Sequence, residues 1–336
     1  MRRLPLLCLS LLVLAGCSGS SGTSEFVRVW GTGEANLVDG NHLNARFNNP
    51  ASVEVAANGT VFVSDFDNGA VRKIGTDGEV STLVDQDNFS RPFGITMGAD
   101  GSLYVQTDAD ETGNTSRGTI WRVDPLVGGA TKLASITGRP RGLLGLPDGR
   151  LVFSDLVRHT INFMDATTGE VTLLAGMDGM AGFANGTGIE AMFNRPYGLA
   201  LNGDGALLVA DQDNNRIRRV TLGGVVSTFA GTFEAGKHNG PVGEATFNHP
   251  QDVAISGENI YVADTMNHLI RRITAGQVTT QAGTGNAGFI DAEGTNAEFF
   301  GLEGIAINSN GSILWIADGN GGEPLPFNRV RRLTVP

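Results

Sequence analysis

The chain has 336 residues, a formal net charge of −11, 48 glycines and only 18% charged residues. This composition favours many short strands joined by tight turns, in one large or two average domains. The acidic balance argues against nucleic-acid binding, which needs a basic patch, and against electrostatic attraction to anionic lipid.

The first segment, residues 1–16, has the pattern of an export signal. Two arginines precede an apolar run, Leu4–Leu14, that is too short to span a bilayer. The run ends in Leu-Ala-Gly followed by Cys17, which resembles the bacterial lipobox. That resemblance implies cleavage after residue 16 and acylation of Cys17. An ordinary secretory signal with an incidental cysteine is the alternative.

The cysteines and the residues that follow them indicate where the protein resides. Cys8 and Cys17 are the two cysteines of the chain, so the remainder has no thiol for a disulfide, a metal or catalysis. Ser18 resembles the sorting residue of outer-membrane lipoproteins. The Ser/Gly-rich stretch in residues 17–25 predicts a flexible tether. We therefore expect a lipid-anchored protein of the bacterial cell envelope, at the outer membrane.

Beyond residue 25 the chain repeats a four-strand unit. Residues 193–231 contain four short β-prone runs separated by turns rich in Asn, Asp and Gly, a pattern typical of antiparallel strands. We name these strands a, b, c and d. Strand b ends at a recurring position, about 42 to 56 residues apart, that is occupied by Asp65, Thr107, Asp155, Asp211, Asp264 and Asp318. Strand a opens with Pro50, Pro92, Pro140, Pro196, Pro250 or Leu302.

Repeats of this length that contain only strands predict propeller blades. The copies span about 47–86, 89–136, 138–177, 193–232, 247–284 and 299–336, which predicts an all-β, six-bladed propeller. Phe26–Gly31 resembles a strand d, and the last copy ends with a strand c at Arg329–Val335. We therefore expect Phe26–Gly31 to complete the last blade and remove its open edge.

Four long glycine-rich connections precede blades one, four, five and six. They span Gly31–Arg46, Met177–Met192, Thr232–Thr246 and Thr284–Glu298. Long loops without secondary structure are often functional, although four similar copies also suit a simple repeat feature. We expect these loops to wall one face of the disc and to leave it open over blades two and three.

Two segments, Asp211–Arg219 and Asp264–Arg272, share the pattern Asp-x-x-Asn-(Asn/His)-x-Ile-Arg-Arg. This pattern resembles the NHL repeat, whose signature is spelled literally by Asn267-His268-Leu269. With the Phe-Asn-x-Pro linkers, the resemblance covers about residues 26–336. Blade three departs from it, because Ile161–Met164 replaces the basic strand c. The resemblance implies a propeller of the kind found in bacterial lipoproteins, and a fold of this kind supports many functions.

The recurring aspartates and the arginine pairs of strand c, such as Arg218 and Arg219, favour a structural role. They repeat in most blades, whereas a reaction needs one site. We expect one arginine of each pair to bond the neighbouring aspartate or backbone and so to fix blade registry.

The residues that flank the first position of strand a differ between blades and are predicted to ring the channel mouth. The candidate ligand-binding residues among them are Arg91, Phe93, Arg139, Arg141, Arg195, Tyr197, His249, Gln251 and Glu303. Four arginines beside two aromatic residues favour an anionic ligand, such as a carboxylate, an acidic or sulfated sugar, or a peptide terminus. Ion pairs between blades are the alternative role for these arginines.

The sequence indicates no catalytic residue set and no metal ligands. His42, His238 and His249 could share a face, but their spacing matches no zinc motif. The Asp-rich turns Asp65–Asn68 and Asp211–Asn214 could hold a structural calcium, although such turns need these residues anyway. We therefore predict no cofactor.

The leading functional hypothesis is a monomeric binding or scaffold propeller outside the cytoplasm. It would engage a protein, peptide or anionic glycan at the channel mouth, and no nucleic acid. The alternative is a metal-dependent propeller lyase, lactonase or other hydrolase on the same face. A purely structural envelope protein is the third hypothesis.

Overall fold

The computed structural model describes residues 28–110, 112–115, 117–319, 321 and 326–336. The predicted signal 1–16, the lipidation site Cys17, the tether 17–25 and the first two residues of the predicted closing strand, Phe26 and Val27, lie outside these ranges. In the part of the chain that is described, none of the helices has the length and apolar character needed to cross a bilayer.

The strands form six antiparallel sheets, one for each predicted blade. The first strand of the described residues is β1 (Arg28–Gly33). Blade one holds β2 (Pro50–Val55), β3 (Val61–Asp65), β4 (Ala70–Ile74) and β5 (Val80–Val84). Blade two holds β6 (Pro92–Met97), β7 (Leu103–Thr107), β8 (Arg117–Val123) and β9 (Ala130–Thr137). Blade three holds β10 (Pro140–Gly145), β11 (Arg150–Asp155), β12 (Thr160–Asp165) and β13 (Val171–Ala175).

The remaining blades follow the same order, and two of them gain a short fifth strand. Blade four holds β14 (Gly186–Thr187), β15 (Pro196–Leu201), β16 (Leu207–Asp211), β17 (Arg216–Val220) and β18 (Val225–Ala230). Blade five holds β19 (Gly240–Pro241), β20 (Pro250–Ser256), β21 (Asn259–Asp264), β22 (Leu269–Thr274) and β23 (Gln277–Ala282). Blade six holds β24 (Gly301–Ile307), β25 (Ile313–Gly319) and β26 (Asn328–Thr334). Short 3₁₀ helices span Phe66–Asn68, Gly188–Glu190, Gln212–Asn214, Thr265–Asn267 and Gly294–Asn296.

The ring is closed by β1, which supplies the outer strand of blade six. It pairs antiparallel with β26, placing Trp30 opposite Val330, and the sheet order is β1-β26-β25-β24. The indole of Trp30 packs 4.6 Å from that of Trp315, and its Nε1 donates to the carbonyl of Gly78 in blade one at 3.0 Å. This geometry confirms the predicted closure, and the strand continues to Gly33.

The core lies between neighbouring blades. One apolar cluster, for example, joins Tyr261 and Ile270 of blade five to Leu314 and Ile316 of blade six. Each sheet is therefore covered on both faces, which explains why the strand sequences are almost continuously apolar.

Four blades share a buried ion pair between the end of strand b and the middle of strand c. The pairs, at 2.7 to 2.9 Å, are Asp65–Arg72, Asp211–Arg218, Asp264–Arg271 and Asp318–Arg331. Each arginine also donates to carbonyls of the connection before its blade, as Arg218 does to Met192 and Ala184. This bonding confirms the structural role expected for one arginine of each pair.

The long connections differ from our expectation in where they reach. They cover the predicted blades, but they extend outward to strand d: Gly40 pairs with Val80, and β14 and β19 pair with β18 and β23. In blades one, four and five the strand c arginine also bonds the connection, so the connection covers the outer strand of its blade.

Candidate functional site

Strand a of each blade faces the central axis and lines a channel of about 280 Å³. The residues one position into strand a form its first ring, which consists of Ala51, Phe93, Arg141, Tyr197, Gln251 and Glu303. Five predicted ligand-binding residues are therefore brought together in this ring. The other four, Arg91, Arg139, Arg195 and His249, lie on its outer side, one position before strand a.

A second set of side chains reaches into this ring from the residue that follows strand b. Phe66 of blade one packs edge-on against Phe93 of blade two, with ring centroids 5.9 Å apart, and Phe93 packs likewise against Tyr197 at 5.5 Å. Asp108, which follows strand b of blade two, likewise reaches the next blade, where it forms an ion pair with Arg141. Side chains from one blade thus complete the ring position of the next.

Arg141 is committed to an ion pair inside the protein. Its guanidinium donates hydrogen bonds to both carboxylate oxygens of Asp108, and Arg139 donates to the same carboxylate at 2.6 Å. Arg141 is only 4% exposed and lies 4.3 Å from the Phe93 centroid. Burial acts to raise the pKa of Asp108, but hydrogen bonds and charge from Arg141 and Arg139 outweigh it and hold the pKa below its usual range.

The exposed cations of the mouth lie outside this ion pair. Arg91 is exposed and its guanidinium lies 4.7 Å from the Phe66 centroid. The side chain of Arg195 is 47% exposed and 3.7 Å from Asp213, which also lies 3.6 Å from His249. These cations therefore face solvent at the rim.

The backbone before strand a takes a left-handed conformation in several blades. The φ angle is +54° at Asn49, +56° at Arg91 and Arg195, and +50° at His249. Because the conformation recurs while the side chains differ, it belongs to the repeat framework. What distinguishes the blades is the side chain each presents at the rim.

Three carboxyl groups project into the channel. Burial raises the pKa of Glu303 to about 7, and the charge of Arg141 opposes that shift. Burial likewise raises the pKa of Glu54 to about 7, against the N–H of Met97, which donates to Glu54 at 2.9 Å. Burial also raises the pKa of Asp252 to about 7, although the N–H groups of Ile305 and Val253 donate hydrogen bonds to its carboxylate, which lowers the pKa.

Sequence reasoning missed Asp108, Glu54, Asp252 and Phe66. A signal existed for Asp252, because the equivalent residues are Gly94, Gly142, Gly198 and Gly304, with Ser52 in blade one. A carboxylate in a row of glycines marks a position where one blade differs. No comparable signal existed for Asp108, whose partner lies in the next blade.

Side chains that could ligate a metal do not converge in the described part of the chain. Across residues 28–110, 112–115, 117–319, 321 and 326–336, no group of three or more His, Cys, Asp or Glu side chains could hold a metal ion. In the Asp-rich turns, both oxygens of Asp65 and Asp211 accept hydrogen bonds from protein groups. These aspartates are engaged by the protein itself.

Comparison with known sequences supports the repeat assignment. The NHL repeat family matches residues 247–273. NHL repeat-containing protein 2 of Bos taurus is 27% identical over 314 residues, which cover 84% of this chain and 39% of that protein. The chain spans only 12% to 39% of the length of the curated relatives it matches.

Comparison with solved structures supports the fold. An auxiliary nutrient binding protein of Bacteroides thetaiotaomicron superposes with a TM-score of 0.72 at 18% identity, over 93% of this chain and 76% of that one. A virginiamycin B lyase of Staphylococcus aureus does so with a TM-score of 0.55 at 16% identity, over 86% and 96%. The repeat match, the NHL-repeat relatives and the closed ring of six blades show that this chain is a six-bladed β-propeller that contains an NHL repeat.

Proposed function

We propose that this propeller is a binding protein, anchored to the cell envelope through lipid on Cys17, and that its channel mouth holds a ligand with an anionic group. The observation that carries the proposal is the pair of solvent-facing cations at the rim, Arg91 and Arg195, in an otherwise acidic protein. Arg91 lies over the ring of Phe66, which packs against Phe93, and Phe93 packs against Tyr197.

The arginines of the channel mouth differ in their roles, because Arg141 is paired with Asp108 inside the protein and Arg91 and Arg195 are exposed. Arg141 is buried and paired with Asp108, and the same carboxylate also holds Arg139. Arg91 and Arg195 keep most of their hydrogen-bonding capacity toward solvent. A planar carboxylate or a sulfate suits them, because guanidinium groups bind such anions through two parallel hydrogen bonds. The auxiliary nutrient binding protein of Bacteroides thetaiotaomicron has a similar fold, which supports a binding role for this propeller.

Two labelled probes test this proposal. Fluorescein-labelled trigalacturonate represents an acidic glycan, and fluorescein-labelled triglycine with a free C-terminus represents a peptide carboxylate. We expect fluorescence anisotropy to detect binding of at least one, and methyl esterification or amidation to weaken it. Which probe binds more tightly distinguishes glycan from peptide.

The variant R91Q/R195Q should weaken binding by about tenfold or more, because a hydrogen bond to a charged group contributes about 1.5–3 kcal/mol. The matched control is R219Q, which removes an exposed arginine paired with Asp204 at the opposite face. Equal affinity of R91Q/R195Q and wild type, or no binding of either acidic probe, would contradict the proposal.

A second candidate function is catalysis in the channel, favoured by the carboxyls of Glu54, Asp252 and Glu303. A pKa of about 7 suits a general acid or base at neutral pH. Elemental analysis of the purified protein tests the metal-dependent form of this second function. A stoichiometric zinc or calcium whose removal also abolishes ligand binding would favour a metal-dependent lyase or hydrolase.

A further inference from the structure

The buried aspartate that ends strand b has the same partners in three of the blades. In blades one, four and five its Oδ1 accepts a backbone N–H from the start of the blade, and its Oδ2 accepts two side chains. One donor is the strand c arginine, and the other is an asparagine three residues after the aspartate: Asn68, Asn214 or Asn267. Charge and hydrogen-bonding capacity are thus both satisfied.

A phenylalanine packs against each of these arginines. It lies three residues before the start of strand a, and the distances from guanidinium carbon to ring centroid are 4.4 to 5.3 Å for Phe47, Phe193, Phe247 and Phe299. In blade two a tryptophan and a threonine replace the arginine and the aspartate, and the tryptophan fills the space of the arginine. There the indole of Trp121 donates to Thr107 at 2.9 Å and packs on Phe89.

Blade three has lost the three side chains that surround this aspartate in the other blades. Asn162 stands in place of the arginine, Thr137 in place of the phenylalanine, and Arg158 in place of the asparagine. Asn162 donates to Thr160 at 3.0 Å instead of to Asp155. Arg158 is held at the surface by Asp178.

Asp155 is consequently left half-satisfied. Its Oδ1 accepts the N–H groups of Arg139, Val157 and Arg158, but its Oδ2 has no hydrogen-bond partner among the described residues. The residue is 1% exposed. Burial raises the pKa of this carboxyl despite the three N–H donors. A buried carboxylate oxygen without a partner is costly unless a donor occupies the adjoining space.

Asp155 also lines an open pocket of about 310 Å³, which we name the blade-three pocket. Asp155 and Asn162 are polar groups in its lining. Apolar wall is provided by Ile136, Phe153, Val171 and Leu173, of which Val171 and Leu173 are exposed. The volume is in the range of small-ligand sites, which combine apolar walls with a few convergent polar groups.

We propose that the blade-three pocket binds a guanidinium group, carried either by a free small molecule or by an arginine side chain of a peptide. The group would donate to Asp155 Oδ2, and its alkyl stem would pack on Val171 and Leu173. This proposal is based on the other blades. In blades one, four, five and six, the aspartate equivalent to Asp155 bonds an arginine guanidinium through the same oxygen, Oδ2. The site is separate from the channel mouth and does not depend on the function proposed for it.

Calorimetric titration of the full-length protein with two arginine probes tests the inference. The probes are ethylguanidinium and the acetylated, amidated peptide Gly-Arg-Gly, and their uncharged counterparts are ethylurea and the citrulline peptide. We expect the guanidinium probes to bind at least about tenfold more tightly than the uncharged ones, since hydrogen bonds to charged groups are the stronger ones. Tighter binding of the peptide assigns the pocket to an arginine residue, and equal binding assigns it to a free guanidinium compound.

Three variants locate the binding. N162R restores the arginine of the repeat, so it should abolish probe binding and raise the melting temperature. N162A removes the amide without supplying a cation and should keep the binding. D155N removes the acceptor charge, but it can also impair folding, so N162R is the deciding variant. Absence of binding by both arginine probes, or unchanged binding to N162R, would overturn the inference.

Discussion

At the scale of single residues, the channel carboxyls couple stability to pH. Glu54 has a pKa of about 7 in the folded protein because it is buried, compared with an ordinary value of 4.5. A carboxyl whose folded pKa is raised contributes stability that is fully present below its unfolded pKa and is lost as pH rises through the folded one. Asp252 and Glu303 act in the same direction.

E54Q should therefore be more stable than wild type at pH 8 and lose less stability between pH 5 and pH 8. We expect a difference of roughly 1–3 kcal/mol between the two pH values, reduced from the full shift because the side chain is partly exposed to the channel. Urea unfolding at both pH values measures it, with E258Q at an exposed acid as the control. An E54Q profile parallel to that of wild type would refute this assignment.

At the scale of the blade, the buried aspartate–arginine pair fastens strand b, strand c and the preceding connection together. Arg271 bonds Asp264 and also donates to carbonyls of Thr246 and His238. Removing it leaves a buried carboxylate and two carbonyls without that donor. A surface pair such as Arg219–Asp204 has water to replace its partner.

R271M should lower the free energy of unfolding by about 3–5 kcal/mol, the usual effect of breaking a buried ion pair. R219M should cost about 0–1 kcal/mol, because exposed pairs contribute little. Denaturant unfolding followed by circular dichroism compares the two variants. Similar losses for both would mean that burial of the pair is not what stabilises the blade.

At the scale of the whole molecule, stability depends on closing the ring with β1. Trp30 binds that strand to its own sheet through Trp315 and to blade one through Gly78. Loss of these contacts would weaken the pairing with β26 and expose a sheet edge, which is a template for aggregation.

W30A should destabilise the protein by about 3–5 kcal/mol, as large aromatic-to-alanine changes in a core do. It should also elute earlier in size-exclusion chromatography on mild warming. The control is F233A, because Phe233 is 65% exposed. Equal melting temperatures for W30A and F233A would show that closure by β1 contributes little.

The sequence by itself determined the six blades, the closing strand and the aspartate–arginine pairs. Each of these depends on short patterns, such as a turn, a strand period or a residue at a fixed offset, which are repeated often enough along the chain to be recognised. The departure of blade three at Ile161–Met164 was also visible in the repeat. Its consequence was not, because Thr137, Arg158 and Asn162 become neighbours only in the folded blade.

Only the tertiary structure decided which of the candidate arginines face solvent at the channel mouth. Arg141 and Asp108 are 33 residues apart and belong to different blades, so their pairing depends on how two blades meet. The same packing brings Glu54 and Asp252 into one channel. Local sequence patterns determine the elements, whereas burial and charge pairing across blade boundaries are set by contacts between distant parts of the chain.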